Sequence, residues 1–170
     1  VAADYATLGA RVERIAGRDG YGDHLLATSP WGGDGPGILV LSHLDTVHDI
    51  GTLAGPLPFR VEGDIAYGPG IYDMKGGAHL AFAAMRQLHR IGRETKLPIR
   101  HLLVSEEEVG SPTSRAVIER EAGRARYVLV TEPAREGGKV VTARKGVARF
   151  DLVLRGTAAH SGARHQDGRS

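Results

Sequence analysis

Residues able to do chemistry gather at a few places along this 170-residue chain. His43 and Asp45 stand one residue apart at the end of the apolar run Ile38 to Leu41, which reads as a strand buried on both faces. Glu106, Glu107 and Glu108 follow a second apolar run, Ile99 to Val104, and Glu132 follows a third, Arg126 to Val130. Asp73 sits in the Gly-rich stretch Tyr67 to Gly77. That stretch lacks the Gly-Lys-Ser/Thr ending of a phosphate loop. No Gly-x-Ser-x-Gly elbow for a serine nucleophile occurs. The absence of cysteine excludes thiolate metal sites, Cys nucleophiles and disulfides.

In open α/β sheets, ligands bind beyond the carboxyl ends of the strands. If the three apolar strands are neighbours, one imidazole and a group of carboxylates converge on one sheet edge. Such a group repels itself: two like charges about 4 Å apart cost roughly 4 kcal/mol at an effective dielectric of ~20. The acids must be partly protonated or must hold cations. With a histidine among the donors, zinc fits better than calcium or magnesium, which prefer oxygen-only shells. A shared carboxylate allows two ions about 3.5–4 Å apart. Residues i and i+2 of a strand face the same way, so His43 can offer one ring nitrogen to a metal while Asp45 takes a hydrogen bond from the other. Taken singly, each signal has a bland reading, His43-x-Asp45 as a loop ion pair and the glutamate triplet as a solvated charge run. The conjunction at strand ends is what points to a metal. His24, His48, His79, His89, His101 and His165 read as surface or locally bonded.

The elements that must position these groups follow from periodicity. Apolar positions at Tyr5, Leu8, Val12 and Ile15 predict a helix over Asp4 to Ile15. Asp23 to Ser29 reads as a short strand and Pro30 to Gly37 as a turn. A second helix is expected from about Ala78 to Ile91, with Ala81, Phe82, Met85 and Leu88 on one face. Ser111-Pro112 reads as an N-cap followed by proline at the first helical position, opening a helix to about Glu121. From Arg144 the pattern becomes period-two, with Val147, Arg149, Asp151 and Val153 alternating as in a half-exposed strand. Apolar strands alternating with helices predict an α/β fold, a mostly parallel sheet with helices on both faces, over residues 1–143. Residues 144–170 are expected to begin a smaller domain.

With 41% hydrophobic residues the chain can bury a core. Its 22 basic and 20 acidic residues are interspersed, so the net charge of +2 is no footprint for nucleic acid. No apolar stretch approaches the roughly 18 residues that span a bilayer, and none reads as a signal peptide. The start at Val1 inside an apparent helix, and the end at His165 to Ser170 inside another element, read as a piece of a longer chain.

The motifs Ser42-His-Leu-Asp-Thr-Val47, Tyr67 to Gly77, Ser105-Glu-Glu-Glu-Val-Gly-Ser111, Thr131-Glu-Pro133 and Gly156-Thr-Ala-Ala-His-Ser-Gly162, in that order, resemble a di-zinc metallopeptidase family. It is the family of glutamate carboxypeptidase, acetylornithine deacetylase and succinyl-diaminopimelate desuccinylase, and within it the motifs resemble those of the glutamate carboxypeptidase branch. The resemblance implies a zinc exopeptidase-like fold followed by a smaller α+β lid and dimerisation domain. It implies two zinc ions per full-length subunit, with cobalt or manganese as substitutes. By that resemblance His43 and Glu132 would hold one ion, Asp73 would bridge both, Glu108 would bind the second, and a cis Asp73–Met74 bond is expected. In the family's Asp-Glu-Glu-x-Gly-Ser signature the first Glu is the general base, here Glu107. The resemblance further implies that Asp45 supports His43 and that His160 reaches the substrate's carbonyl oxygen. Glu106 in place of Asp and Ser42 where Gly is common are departures expected to matter little. The implied reaction is hydrolysis of an amide bond in a small peptide or an N-acyl amino acid. An N-acyl amino acid deacylase, and a metal-binding fragment without activity, stand as alternatives. A homodimer when full length is expected, with no nucleic-acid or membrane partner. Such relatives occur in the cytoplasm and the periplasm, and the cytoplasm is the expectation here.

Overall fold

Short apolar runs become strands where neighbours complete their hydrogen bonds. The computed structural model describes residues 1–148, 150–153 and 155–169. In chain order its elements are α1 (Ala2–Ala6), β1 (Arg11–Ile15), β2 (His24–Thr28), β3 (Gly37–His43), β4 (Arg60–Glu62), β5 (Ile65–Tyr67), α2 (Gly76–Arg90), β6 (Ile99–Val104), α3 (Arg115–Gly123) and β7 (Ala125–Val130). The chain separates into two compact units, Val1–Pro133 and Ala134–Ser170.

The first unit is built on a sheet of order β1-β2-β6-β3-β7, with β4 and β5 forming a separate antiparallel hairpin. β6, β3 and β7 run parallel, and β2 runs against both β6 and β1. Four of the five strands therefore point one way, so the sheet is mostly parallel. One face carries Tyr5 and Leu8, and Ala78 and Met85 of α2, against Ala27, Val40, Ile99 and Leu103. The other carries Val117 of α3 against Leu26, Leu39, Leu102 and Val104. Alternate residues of β3 and β6 thus feed opposite cores, and helices cover both faces.

Several expectations are corrected. The stretch 4–15 is not one helix: α1 stops at Ala6, Gly9 takes a left-handed φ of +70°, and β1 pairs with β2 in the register Val12↔Ala27. Helical spacing would put Val12 and Ile15 on one face, but as strand residues they pack into opposite cores. The helix expected from Ser111-Pro112 is regular only from Arg115: Ser111 takes φ +55°, and residues 112–114 form a turn whose Arg115 N–H donates to the Ser111 carbonyl (3.3 Å). The β4–β5 hairpin is an element that periodicity did not announce. β7 is apolar as expected but lies at the sheet edge, with Tyr127 to Val130 about half exposed. Past residue 144 the alternating stretch forms no strand among the described residues. Val147, Asp151 and Val153 are exposed on irregular backbone, and Arg149 lies outside the described residues. A half-exposed strand needs a pairing neighbour. The only ladder contacts in the second unit are the isolated bridges Arg135↔Lys139 and Thr157↔Arg169 among the described residues. Among those residues no helix is long and apolar enough to cross a membrane.

Candidate metal centre

Parallel pairing sets where the chemistry gathers. β3 and β6 pair to His43↔Val104, β3 and β7 pair to Leu41↔Val130, and the Leu44 and Thr131 N–H groups continue the ladders onto Val104 and Leu41 carbonyls (2.8 and 3.2 Å). The carboxyl ends of three adjacent strands therefore deliver His43, the 106–108 acids and Glu132 to one edge. Asp73 arrives from the loop ahead of α2. One glycine in that loop and one in the first turn of α2 permit the close approach. A Cβ on Gly70, at φ +69°, would fall 2.2 Å from Thr46 Cγ2, and a Cβ on Gly77 would fall 1.9 Å from the Thr131 carbonyl oxygen. The Asp73–Met74 peptide is cis, and the His43 N–H donates to Met74 Sδ (3.2 Å).

His43 is the centre. Its side chain is 1% exposed, and its Nε2 lies 3.0 Å from Asp73 Oδ1, 3.6 Å from Glu132 Oε1 and 3.9 Å from Glu107 Oε2. Nδ1 lies 3.1 Å from the carbonyl oxygen of Asp45, which can only accept, so Nδ1 carries a proton. In a neutral ring Nε2 is then a lone pair facing three carboxylates. That arrangement needs either an imidazolium or a cation. One proton on Nε2 serves one carboxylate at hydrogen-bond distance, whereas a divalent ion serves several donors at once. His43, Asp73 and Glu132 each offer a ligand atom, all within 4.8 Å of one another. An imidazole with two carboxylates suits zinc and its first-row neighbours.

The ionisation pattern follows the same crowding. For His43, burial opposes protonation, but the hydrogen bonds to Asp45 and Asp73 and the charge of Glu132 outweigh it and raise the ring above its ordinary value. Burial raises Glu107 and Glu132, and neighbouring carboxylates raise both further against the pull of His43.

The backbone leaves strand geometry after β6, so Glu107 and Glu108 do not point to opposite faces as strand neighbours would. Glu107–Val109 forms a single 3₁₀ turn closed by Gly110 at φ +93°. The Asp45 carboxylate holds this turn: the Glu107 and Glu108 N–H groups donate to its two oxygens (3.2 and 2.9 Å). One detail of the sequence reading is corrected here. The Asp45 carbonyl, not its carboxylate (3.4 Å), is the nearer acceptor for His43 Nδ1, because the carboxylate is committed to the turn. Glu108 is half-buried at this turn and lies outside the set of three. His160 belongs to the second unit, where it is exposed and its Nδ1 accepts from the Gly162 N–H (3.2 Å).

Four side chains take places that the sequence reading did not give them. Glu106 is 1% exposed and accepts from the Thr113 hydroxyl and the Ser114 N–H (both 3.0 Å) and from the Ser114 hydroxyl. Burial opposes its charge, but these bonds, with His24 nearby at 3.6 Å, hold its carboxyl below the ordinary value. His24 and His101 are not surface residues but 2% and 0% exposed, each with partners distant in sequence. Lys75, whose ammonium burial pushes down against the attraction of Asp45, completes the surroundings. No local pattern signals the His24 and His101 partnerships, which join residues 89 and 59 apart in the chain. The loops carrying Asp45 and Asp73 also line a cavity of about 410 Å³, walled by Leu53, Phe59, Pro69 and Ile71.

The sequence profile of peptidase family M20/M25/M40 matches residues 39–162. Carboxypeptidase G2 of a Pseudomonas species is 42% identical over 133 residues, covering 78% of this chain and 32% of that protein. Succinyl-diaminopimelate desuccinylase of Rickettsia massiliae is 27% identical over 147 residues, covering 80% and 39%. Human carnosine dipeptidase 1 superposes with a TM-score of 0.64 at 19% identity, over 78% of this chain and 31% of that one. The chain thus spans about a third of the length of the relatives it matches. The ordered motifs, the parallel sheet and the matched profile agree, and the chain belongs to peptidase family M20/M25/M40.

Proposed function

We propose that the chain carries the His43 half of a two-zinc centre in a hydrolase that cleaves amide bonds. The observation that supports it best is the fixed orientation of His43. Nδ1 donates to the Asp45 carbonyl, so Nε2 is aimed at Asp73, Glu132 and Glu107. The donors fit zinc: His43, Asp73 and Glu132 would hold one ion, and Asp73 and Glu108 would offer ligands to a second. Zinc, when bound, supplies a Lewis acid that polarises a carbonyl and brings the pKa of water down toward about 7.

The chain's own residues supply the proton traffic. Glu107 takes a proton from the attacking water as its oxygen bonds to the carbonyl carbon. Glu107 then gives that proton to the amide nitrogen as the C–N bond breaks, releasing a carboxylate product and an amine. The raised carboxyl of Glu107 makes it a better base than a free glutamate and a competent acid on the return. Asp45 fixes the turn that carries Glu107. His160, from the residues after 143 that we assign to a lid and dimerisation domain, would donate to the developing oxyanion. The whole protein is read as a homodimer of the cytoplasm, acting on a small peptide with a C-terminal amino acid such as glutamate.

Glu107→Gln in the intact protein should lower kcat by about 10²–10⁴-fold with zinc content unchanged. A variant turning over near the parent rate would remove Glu107 from the base role. A deacylase reading has support of its own, since acetylornithine deacetylase of Myxococcus xanthus is 29% identical over 133 residues. Assaying a C-terminal glutamate peptide beside N-acetylornithine separates the two.

A further inference from the structure

Four polar side chains form a continuous line through the core beneath the site. The Tyr5 hydroxyl meets His101 Nδ1, His101 Nε2 lies 2.7 Å from Ser42 Oγ, and Ser42 Oγ lies 2.7 Å from Thr131 Oγ1. Tyr5, His101 and Ser42 are each no more than 1% exposed.

The donors can be ordered. Burial keeps the phenol of Tyr5 protonated, and His101 is the partner its hydroxyl has among the described residues. A buried O–H left without an acceptor is costly, so Tyr5 donates and Nδ1 accepts. The neutral ring then carries its proton on Nε2 and donates to Ser42. Ser42 in turn donates to Thr131. The reverse order would strand the phenolic proton in the core.

The end points give the line its purpose. Ser42 precedes His43 on β3, and Thr131 precedes Glu132 after β7. The last backbone bond between these strands is Thr131 N–H to the Leu41 carbonyl (3.2 Å). Beyond it, the next N–H of β3 on the β7 side, that of His43, donates to Met74 Sδ instead (3.2 Å). The Ser42–Thr131 bond is therefore the fastening between β3 and β7 at the point where the ladder runs out. We infer that the one-way chain Tyr5→His101→Ser42→Thr131 is a positioning device, locking the two strand ends so that His43 and Glu132 meet one ion. This rests on reading His43, Asp73 and Glu132 as a metal site. It also gives Ser42, where the related motif commonly has glycine, a role that glycine cannot fill.

Two measurements on the intact protein test it. Nitrogen-15 NMR of the histidine-labelled protein should show neutral His101 at pH 7 with its proton on Nε2. A proton on Nδ1, or an imidazolium, overturns the ordering and the proposal. Titration with cobalt(II), followed by its visible spectrum, should show affinity weakened about ten- to hundredfold in Thr131→Val and restored in Thr131→Ser. Thr131→Val binding within about twofold of the parent, or Thr131→Ser failing to restore binding, overturns the positioning role alone. A parent that binds no cobalt overturns the metal reading and the role with it. Should Thr131→Val fail to fold, as judged by circular dichroism, Ser42→Ala is held to the same thresholds.

Discussion

At the scale of single residues, what distinguishes this site is which atoms are already committed. The Asp45 carboxylate is engaged by two N–H groups, and His43 Nδ1 is engaged by the Asp45 carbonyl. Removing the carboxylate charge should therefore injure the turn bearing Glu107 more than the imidazole. Asp45→Asn presents an NH₂ to one of those N–H groups, and kcat is expected to fall at least about 10²-fold, as for loss of a placed base. Zinc affinity should change by less than the roughly tenfold loss usual when a ligand loses its orienting partner. Parallel measurement of kcat and zinc affinity checks this, and a tenfold affinity loss would mean the carboxylate orients His43 after all. His101 gives a second residue-level expectation. Burial without a carboxylate partner draws its pKa from 6.5 down to about 4. The folded state thus resists protonation more than the unfolded chain does. Stability contributed by the neutral ring is full above about pH 6.5 and is lost as pH falls toward about 4. Urea midpoints at pH 7.5 and pH 5 should differ more in the parent than in His101→Gln. Equal pH dependence in the two would show that His101 titrates freely.

At the scale of elements, α3 shows how a site-bearing loop is anchored. Glu106 reaches across the 3₁₀ turn to accept three hydrogen bonds from Thr113 and Ser114, so it closes the loop and caps α3. Glu106→Ala leaves those buried donors unpaired and should cost about 2–3 kcal/mol, the sum of a lost cap and an unsatisfied donor. A urea titration showing less than about 0.5 kcal/mol would mean that the donors find water or relax. The same contacts explain what periodicity could and could not reveal. β3, β6 and α2 were legible because their apolar positions repeat at the period of the element they form. α3 was misplaced because its cap comes from Glu106, eight residues before Ser114, rather than from the adjacent Ser111-Pro112. The run from Tyr5 to Ile15 fits a helix by spacing alone, and only pairing with β2 makes its second half a strand. The β4–β5 hairpin did carry a signal. Gly63-Asp64 separates the two strands, and Gly63 at φ +60° suits the first position of a type II′ turn.

At the scale of the whole molecule, the site was legible because the fold obeys a simple rule. Parallel strands end at one edge, and acids placed after each of them must meet there. That rule brought together His43, Glu107 and Glu132, and the Gly-rich motif added Asp73. It could not bring in His160, which belongs to the second unit, nor reveal Tyr5, His101 and Thr131, whose partnership exists only once β3, β6 and β7 are side by side. The consequence for the molecule is a linkage between ion binding and folding. A lone pair facing three carboxylates is a feature of the folded chain only, so a divalent ion prefers the native state over the unfolded one. Zinc supplied at about one hundred times its Kd should then stabilise the protein by about 2.7 kcal/mol. A chelator should reverse the gain, and Asp73→Asn, which removes the carboxylate 3.0 Å from Nε2, should abolish most of it. Calcium or magnesium at the same concentration should give a smaller shift, because an imidazole donor favours zinc over oxygen-seeking ions. Denaturant titrations with and without each ion decide the matter: an equal response to zinc in the parent and in Asp73→Asn would place the ion elsewhere, and no response in either would leave these carboxylates to be held by the protonated His43 alone.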